Sequence, residues 1–276
     1  ISQIIEQAVK FALGLFFAKL LITKGLSSGV FGAFLGITAG EFLAFLYLGA
    51  VMLFKYRVKT EALQVGGDFF RAVLPLSVGG AIVPFTHALD SLFVVSLLMK
   101  AGFEQAEATT LYGLQTGVVG ALLNFPLIIS LAVGTSLLPK VSYLSTQNDI
   151  EGQRKIIAKS FSLLWLCLLP LVFGIASISE FLYPIIYPNL MTGYLDYAVK
   201  LTFVGGVSIV LTAIMQFLLS LLQAKGFYLF SMLATLFASA IKIFLVFTLT
   251  VQANINIFAL PLSNIFLAGT VCIFAL

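Results

Sequence analysis

A chain of 276 residues that is 61% hydrophobic and 9% charged lies far from the soluble domains, which carry about 25% charged residues. Its long apolar runs, in place of short alternating segments, exclude an outer-membrane barrel and select an all-α integral membrane protein, a polytopic helical bundle. The formal charge of +4 is read as basic loops on one membrane side, so nucleic acid is not an expected partner.

The runs predict about eight transmembrane helices, at roughly 1–22, 29–54, 71–99, 109–138, 157–179, 198–222, 227–251 and 255–276. Short connections at 23–28, 100–108, 223–226 and 252–254 pair neighbouring spans as hairpins, and longer polar ones fall at 55–70, 139–156 and 180–197. The chain starts at Ile1 without methionine and stops inside an apolar run, so it reads as an excerpt of a longer protein.

In the first span Gln3, Glu6, Gln7, Lys10 and Gly14 share one helical face. Glu6 and Lys10 are four apart in the favourable order, so they either neutralise each other or mark a pathway. Glu41 is the charge of the second span.

The third span, RAVLPLSVGGAIVPFTHALDSLFVVSLLMK from Arg71 to Lys100, is the one around which the chain is organised. Its 29 residues to Met99 would rise roughly 43 Å as helix, beyond the ~30 Å hydrocarbon core. Pro75 and Pro84 remove backbone donors, and with the Gly79–Gly80 pair they are the expected hinge. His87 and Asp90, three apart, share a face with Pro84, Ser91 and Val94. A carboxylate at that depth must face protein or water, so His87 and Asp90 are the candidate ion-coupling pair in a broken, cavity-lining helix.

In the fourth span TTLYGLQTGVVGALLNFP carries Gly113, Gly117 and Gly120 beside Ala121, a small-xxx-small face for close helix approach. Gln115, Thr116 and Asn124 point elsewhere, into a polar lumen. Cys167 and Cys272 lie inside apolar runs as buried free thiols. Lys242 in the seventh span is about fifteen residues, ~22 Å, from the inner end, too deep to snorkel easily. Asn264 is the polar residue of the eighth. Aligning Lys10 with Lys242 makes the first two spans echo the last two, as in transporters built from repeats, and places the two lysines opposite each other across a central cavity.

Lys55, Arg57, Lys59, Arg71, Lys140, Arg154, Lys155, Lys159 and Lys225 collect at one side, which is therefore cytoplasmic, and the 180–197 loop with its YPIIYP is external. The basic loops at 55–59 and 154–159 can attract anionic lipid. No G-x-S-x-G, Walker A loop or histidine-rich metal pattern occurs, so no catalytic residue, metal site or cofactor is assigned.

The runs SQIIEQAVK at 2–10, R-x-x-L-P at 71–75 with Asp90, ATTLYGLQTG at 108–117, NFP at 124–126 and SLLPKVS at 136–142 resemble a known family. It is the polysaccharide-exporter and lipid-flippase branch of the multidrug/oligosaccharidyl-lipid/polysaccharide superfamily, nearest its stage V sporulation protein B and lipid II flippase groups. The resemblance implies two six-helix bundles, with two extra C-terminal helices in some members. Residues 1–54 would be the last two helices of the N-terminal bundle, 55–70 a cytoplasmic connection and 71–276 the C-terminal bundle. It implies alternating-access export of undecaprenyl-linked oligosaccharide or peptidoglycan precursor across the bacterial cytoplasmic membrane, with H+ or Na+ as coupling ion and a cationic cavity for the pyrophosphate. Gln3, Glu6, Lys10, Gln115, Asn124 and Lys242 are then the candidate substrate contacts. Lipid II flippases carry an arginine on the eighth helix, whereas span 109–138 has no Arg or Lys. The alternatives are a cation-coupled multidrug antiporter of the same superfamily and a non-transporting scaffold of cell-wall or spore synthesis.

Overall fold

The computed structural model describes residues 2–54, 67–188, 190 and 192–275, with the side chains of 2–5, 67–69, 72 and 192 excepted. Every regular element among them is helical. The chain divides into two compact units, Ile1–Val65 and Gly66–Leu276.

The first unit is a hairpin of α1 (Ser2–Leu21) and α2 (Leu26–Phe54) around a short 3-10 turn. Gly25 closes that turn at φ 126°, a conformation that L side chains rarely adopt. The buried positions of α2 are Gly29, Gly32, Gly36, Gly40 and Ala44, a stripe at spacings of three and four. A Cβ at Gly32 would run into the backbone of Phe17, and one at Gly36 into the backbone of Gly14. The two helices therefore meet backbone to backbone, with dispersion contacts in place of large interdigitating side chains. The outward faces carry Phe11, Phe16, Phe34 and Phe45.

The second unit contains α3 (Gly67–Lys100), α4 (Gln105–Gly113), a π-helical segment (Leu114–Val119), α5 (Gly120–Thr146), α6 (Ile150–Ile186), α7 (Thr192–Ala224), α8 (Tyr228–Leu249) and α9 (Ala259–Ala275). Helix α3 packs on α8, α5 on α6 and α7, and α9 on both α7 and α8. One core, with Leu98, Leu111, Leu201 and Ile257, joins the end of α3 to α4, the first half of α7 and the turn that leads into α9. A second, with Leu137, Leu164 and Phe217, holds α5, α6 and α7 together at the opposite end.

Among the described residues seven helices are long and apolar enough to cross a membrane, so this is a polytopic all-α membrane protein. The expected first span forms as α1 but is not one of the seven, because Glu6, Lys10 and Lys19 fall within its 20 residues. Several boundaries differ from the sequence reading. The polar 139–156 connection shrinks to 147–149, since α5 runs through Pro139 to Thr146 on the buried Leu137 and Val141. Helix α6 then starts where Asp149 caps it, accepting a hydrogen bond from the Gly152 amide at 2.9 Å. The expected external 180–197 loop is mostly helix as well. Its YPIIYP run is helical to Ile186, because Ser179 and Tyr183 are buried and the Tyr183 hydroxyl bonds that of Thr202. Tertiary burial outweighs the proline signal here.

Helix α3 runs on through Pro75 and Pro84, and the fourth span is interrupted by the π segment. The Gly113–Gly117–Gly120 face is not a packing face within this unit. A Cβ at Gly113 or Gly117 would meet nothing within 4 Å, and one at Gly120 would meet only the Gln115 carbonyl oxygen of its own chain segment, at 3.2 Å. Close glycine packing occurs instead on α2 and, in the second unit, at Gly134 against Ser220 and Gly205 against Leu123.

Candidate functional site

The buried face of α3 is built from Ile82, Thr86, Asp90, Val94 and Leu97, a helical spacing that turns one stripe toward the bundle. Helix α8 answers with Ser231, Ala234, Thr235, Ala238, Ser239, Lys242 and Val246. Small residues let the two approach: a Cβ on Gly79 would stand 3.5 Å from the Met232 backbone. Where the stripes cross, Lys242 donates to Asp90 Oδ2 at 2.7 Å and lies 3.4 Å from Thr86 Oγ1. Lys242 is fully buried and Asp90 nearly so. Removing one partner of such a pair strands a charge at a cost of about 3–5 kcal/mol, so each ion is there because of the other.

His87 stands on the flank of that face, its side chain 57% exposed and its Nδ1 3.5 Å from the same Asp90 Oδ2. Asp90 thus links a sealed cation on one side to an accessible imidazole on the other. Pro84 and Ser91, expected on this face, are exposed.

Asp90 and His87 border a partly open cavity of about 330 Å³. Tyr112, Gln115 and Thr116 enter it from α4 and the π segment, Asn124 from α5, Ser208 from α7 and Asn264 from α9. The π segment sets the aim of Gln115 and Thr116. It closes with the Gly120 amide bonded to the Gln115 carbonyl, one residue wider than an α-turn, as π-bulges at functional sites do. Gln115 Oε1 is buried without a hydrogen-bond partner, an acceptor available to a ligand or water. Beside His87, Asp90 is the one charged side chain of the wall, and it is balanced by Lys242. Such a lining suits hydroxyl and amide groups, which donate and accept at once.

The structure brings His87, Asp90, Gln115 and Asn124 together as cavity residues. Lys242 does not line this cavity; its buried ammonium lies behind the wall and donates to Asp90. Of the hinge residues, Pro75 is buried, Pro84 exposed, Gly79 set against α8, and a Cβ on Gly80 would meet nothing. Thr86, Tyr112 and Ser208 were missed. Only Thr86 left a trace in sequence, one helical turn before Asp90.

The remaining candidates belong to the first unit. Gln3 lies in α1, with its side chain outside the described residues. Lys10 Nζ donates to Glu6 at 2.6 Å and to Glu41 at 3.2 Å, a contact between α1 and α2 that leaves the cluster one negative charge in excess. Gly40 makes room for it, since a Cβ there would meet Lys10 Cγ at 2.5 Å. Lys10 and Lys242 are thus each neutralised inside their own unit. Among the described residues no group of three His, Cys, Asp or Glu side chains could hold a metal ion.

The chain is similar to "Stage V sporulation protein B" of Bacillus subtilis (strain 168), with 27% identity over 159 residues, 54% of this chain and 31% of that protein. It therefore spans less than a third of the length of the curated relative. No protein-family model matches it, and no solved structure does.

Proposed function

We propose that this chain is part of an alternating-access transporter of the bacterial cytoplasmic membrane, which exports an undecaprenyl-linked oligosaccharide or peptidoglycan precursor. The observation that carries the reading is the charge-balanced Lys242–Asp90 pair buried against a polar cavity inside an apolar bundle. Intramembrane ions of this kind are expensive and mark transport pathways. The sporulation protein to which the chain is similar supports a role in sporulation.

In this reading the sugar hydroxyls of the precursor bond Gln115, Asn124 and Asn264, and the neutral wall accepts them without a counter-charge. Asp90 is the coupling group. A proton or Na+ entering past the exposed His87 competes with Lys242 for the carboxylate, loosens α3 from α8 and so biases one access state. Lys242, whose charge is already met by Asp90, is not the group that holds the pyrophosphate in this reading. A cation-coupled multidrug antiporter of the same superfamily calls for an acidic cavity to hold a cationic drug, whereas Asp90 is the single carboxylate of this lining and is paired with Lys242. A scaffold leaves the pair without a task.

Export of the labelled lipid-linked precursor, followed in spheroplasts with the full-length protein, tests this. Asp90→Asn and Gln115→Leu are each expected to reduce export at least tenfold at matched protein levels. Normal export in both variants, or a phenotype confined to drug tolerance, sinks the proposal.

A further inference from the structure

A second groove lies between the start of α6 and the end of α7, away from the transport cavity, with a volume of about 460 Å³. Ile157 and Phe161 form its α6 wall, and Phe217 and Leu221 its α7 wall. Arg154 and Lys225 complete it, 71 residues apart in sequence but brought together beside the turns that begin α6 and end α7. No acidic side chain lines it, and neither cation forms an ion pair among the described residues. Both are exposed, as are the neighbouring Lys155 and Lys159. An apolar trough with two unmatched cations at the end of a membrane-spanning helix pair has the two-part chemistry of a phospholipid: chain below, phosphate above.

We infer that this groove is a binding site for one anionic phospholipid of the surrounding leaflet. Its phosphate is met by Arg154 and Lys225, and an acyl chain runs along Ile157, Phe161 and Leu221. Charge complementarity selects this occupant over a zwitterionic lipid or a basic partner helix. A guanidinium adds paired donors in the plane of the phosphate oxygens, while Lys225 supplies a point charge. Because the site uses none of the cavity residues, it stands whatever the protein transports.

The single tryptophan of the chain gives the assay. Trp165 stacks edge-on against Phe161 at 5.8 Å, and Phe161 lies 5.5 Å from Phe217, so a brominated acyl chain in the groove will quench it. The full chain is reconstituted in phosphatidylcholine vesicles containing a small mole fraction of dibrominated phosphatidylglycerol or dibrominated phosphatidylcholine. Each cation near the surface favours an anionic lipid about fivefold, so the pair predicts a preference of about 30-fold. Arg154→Gln and Lys225→Gln should each remove about a fivefold factor, and the double variant the whole preference, with quenching by the zwitterionic lipid unchanged. Lys140→Gln, at the same end but outside the groove, should change nothing, and Ala158→Trp, read by native mass spectrometry of bound lipid, should evict both lipids. Equal quenching by the two lipids, or an undiminished preference in the double variant, overturns the inference. So does an equal loss in Lys140→Gln, which would make it general surface potential, or displacement of the lipid by millimolar inorganic phosphate, which would make it a free-anion site.

Discussion

Charge deletion at the α3–α8 crossing should reveal how tightly the bundle depends on one ion pair. Asp90→Asn leaves the fully buried Lys242 ammonium with the Thr86 hydroxyl at 3.4 Å, a distance too long for a strong hydrogen bond. Lys242→Gln leaves Asp90 with His87 at 3.5 Å and a cavity on its open side. Stranding a buried ion costs about 3–5 kcal/mol, and we place Asp90→Asn at the upper end and Lys242→Gln at the lower. The double variant removes both charges and substitutes an amide pair of similar shape, so it should fall within about 1.5 kcal/mol of the unaltered protein. The cycle then yields a coupling of about 5–7 kcal/mol, above the usual range for residues in contact because each single change strands a buried charge. Reversible unfolding in mixed micelles, followed by Trp165 fluorescence, measures all four states. Additive single effects, or a double variant less stable than either single, would refute the reasoning, because both would mean the charges are solvated independently.

The α1–α2 hairpin should be intolerant at Gly36, where Ala puts a methyl into the Gly14 backbone and costs about 1–3 kcal/mol, while Gly49→Ala, with nothing within 4 Å, should stabilise by about 0.5–1 kcal/mol; thermal melting on size-exclusion chromatography reads both. Single cysteines at Gln147 and Gln252, in a background lacking Cys167 and Cys272, should label from opposite membrane sides, with 147 reacting with an impermeant maleimide only after permeabilisation. Equal labelling from outside would overturn the orientation. Gly117→Ala should leave both stability and helix packing unchanged within about 0.5 kcal/mol, since no neighbour lies within reach; a large loss would restore the close-packing role read from its spacing.

The sequence by itself determined the class, because a chain this apolar has few ways to satisfy its backbone in lipid, and helices are the one its long runs allow. It also singled out Asp90, Lys242, Gln115 and Asn124, which are conspicuous where almost every neighbour is apolar. The partners of those residues were decided by tertiary structure alone. Asp90 and Lys242 are 152 residues apart, and no periodicity within either helix says that their stripes cross. Lys10 likewise meets Glu41 only because α2 folds back on a ridge of glycines. Small-residue spacing marks a possible close approach without saying whether a second helix arrives: on α2 it does, while Gly113 and Gly117 stand clear within their unit and the segment between them and Gly120 widens into a π turn that aims Gln115. The cost of a proline is likewise local, and where Tyr183 or Val141 is buried by other helices, packing keeps the helix running through Pro184 and Pro139.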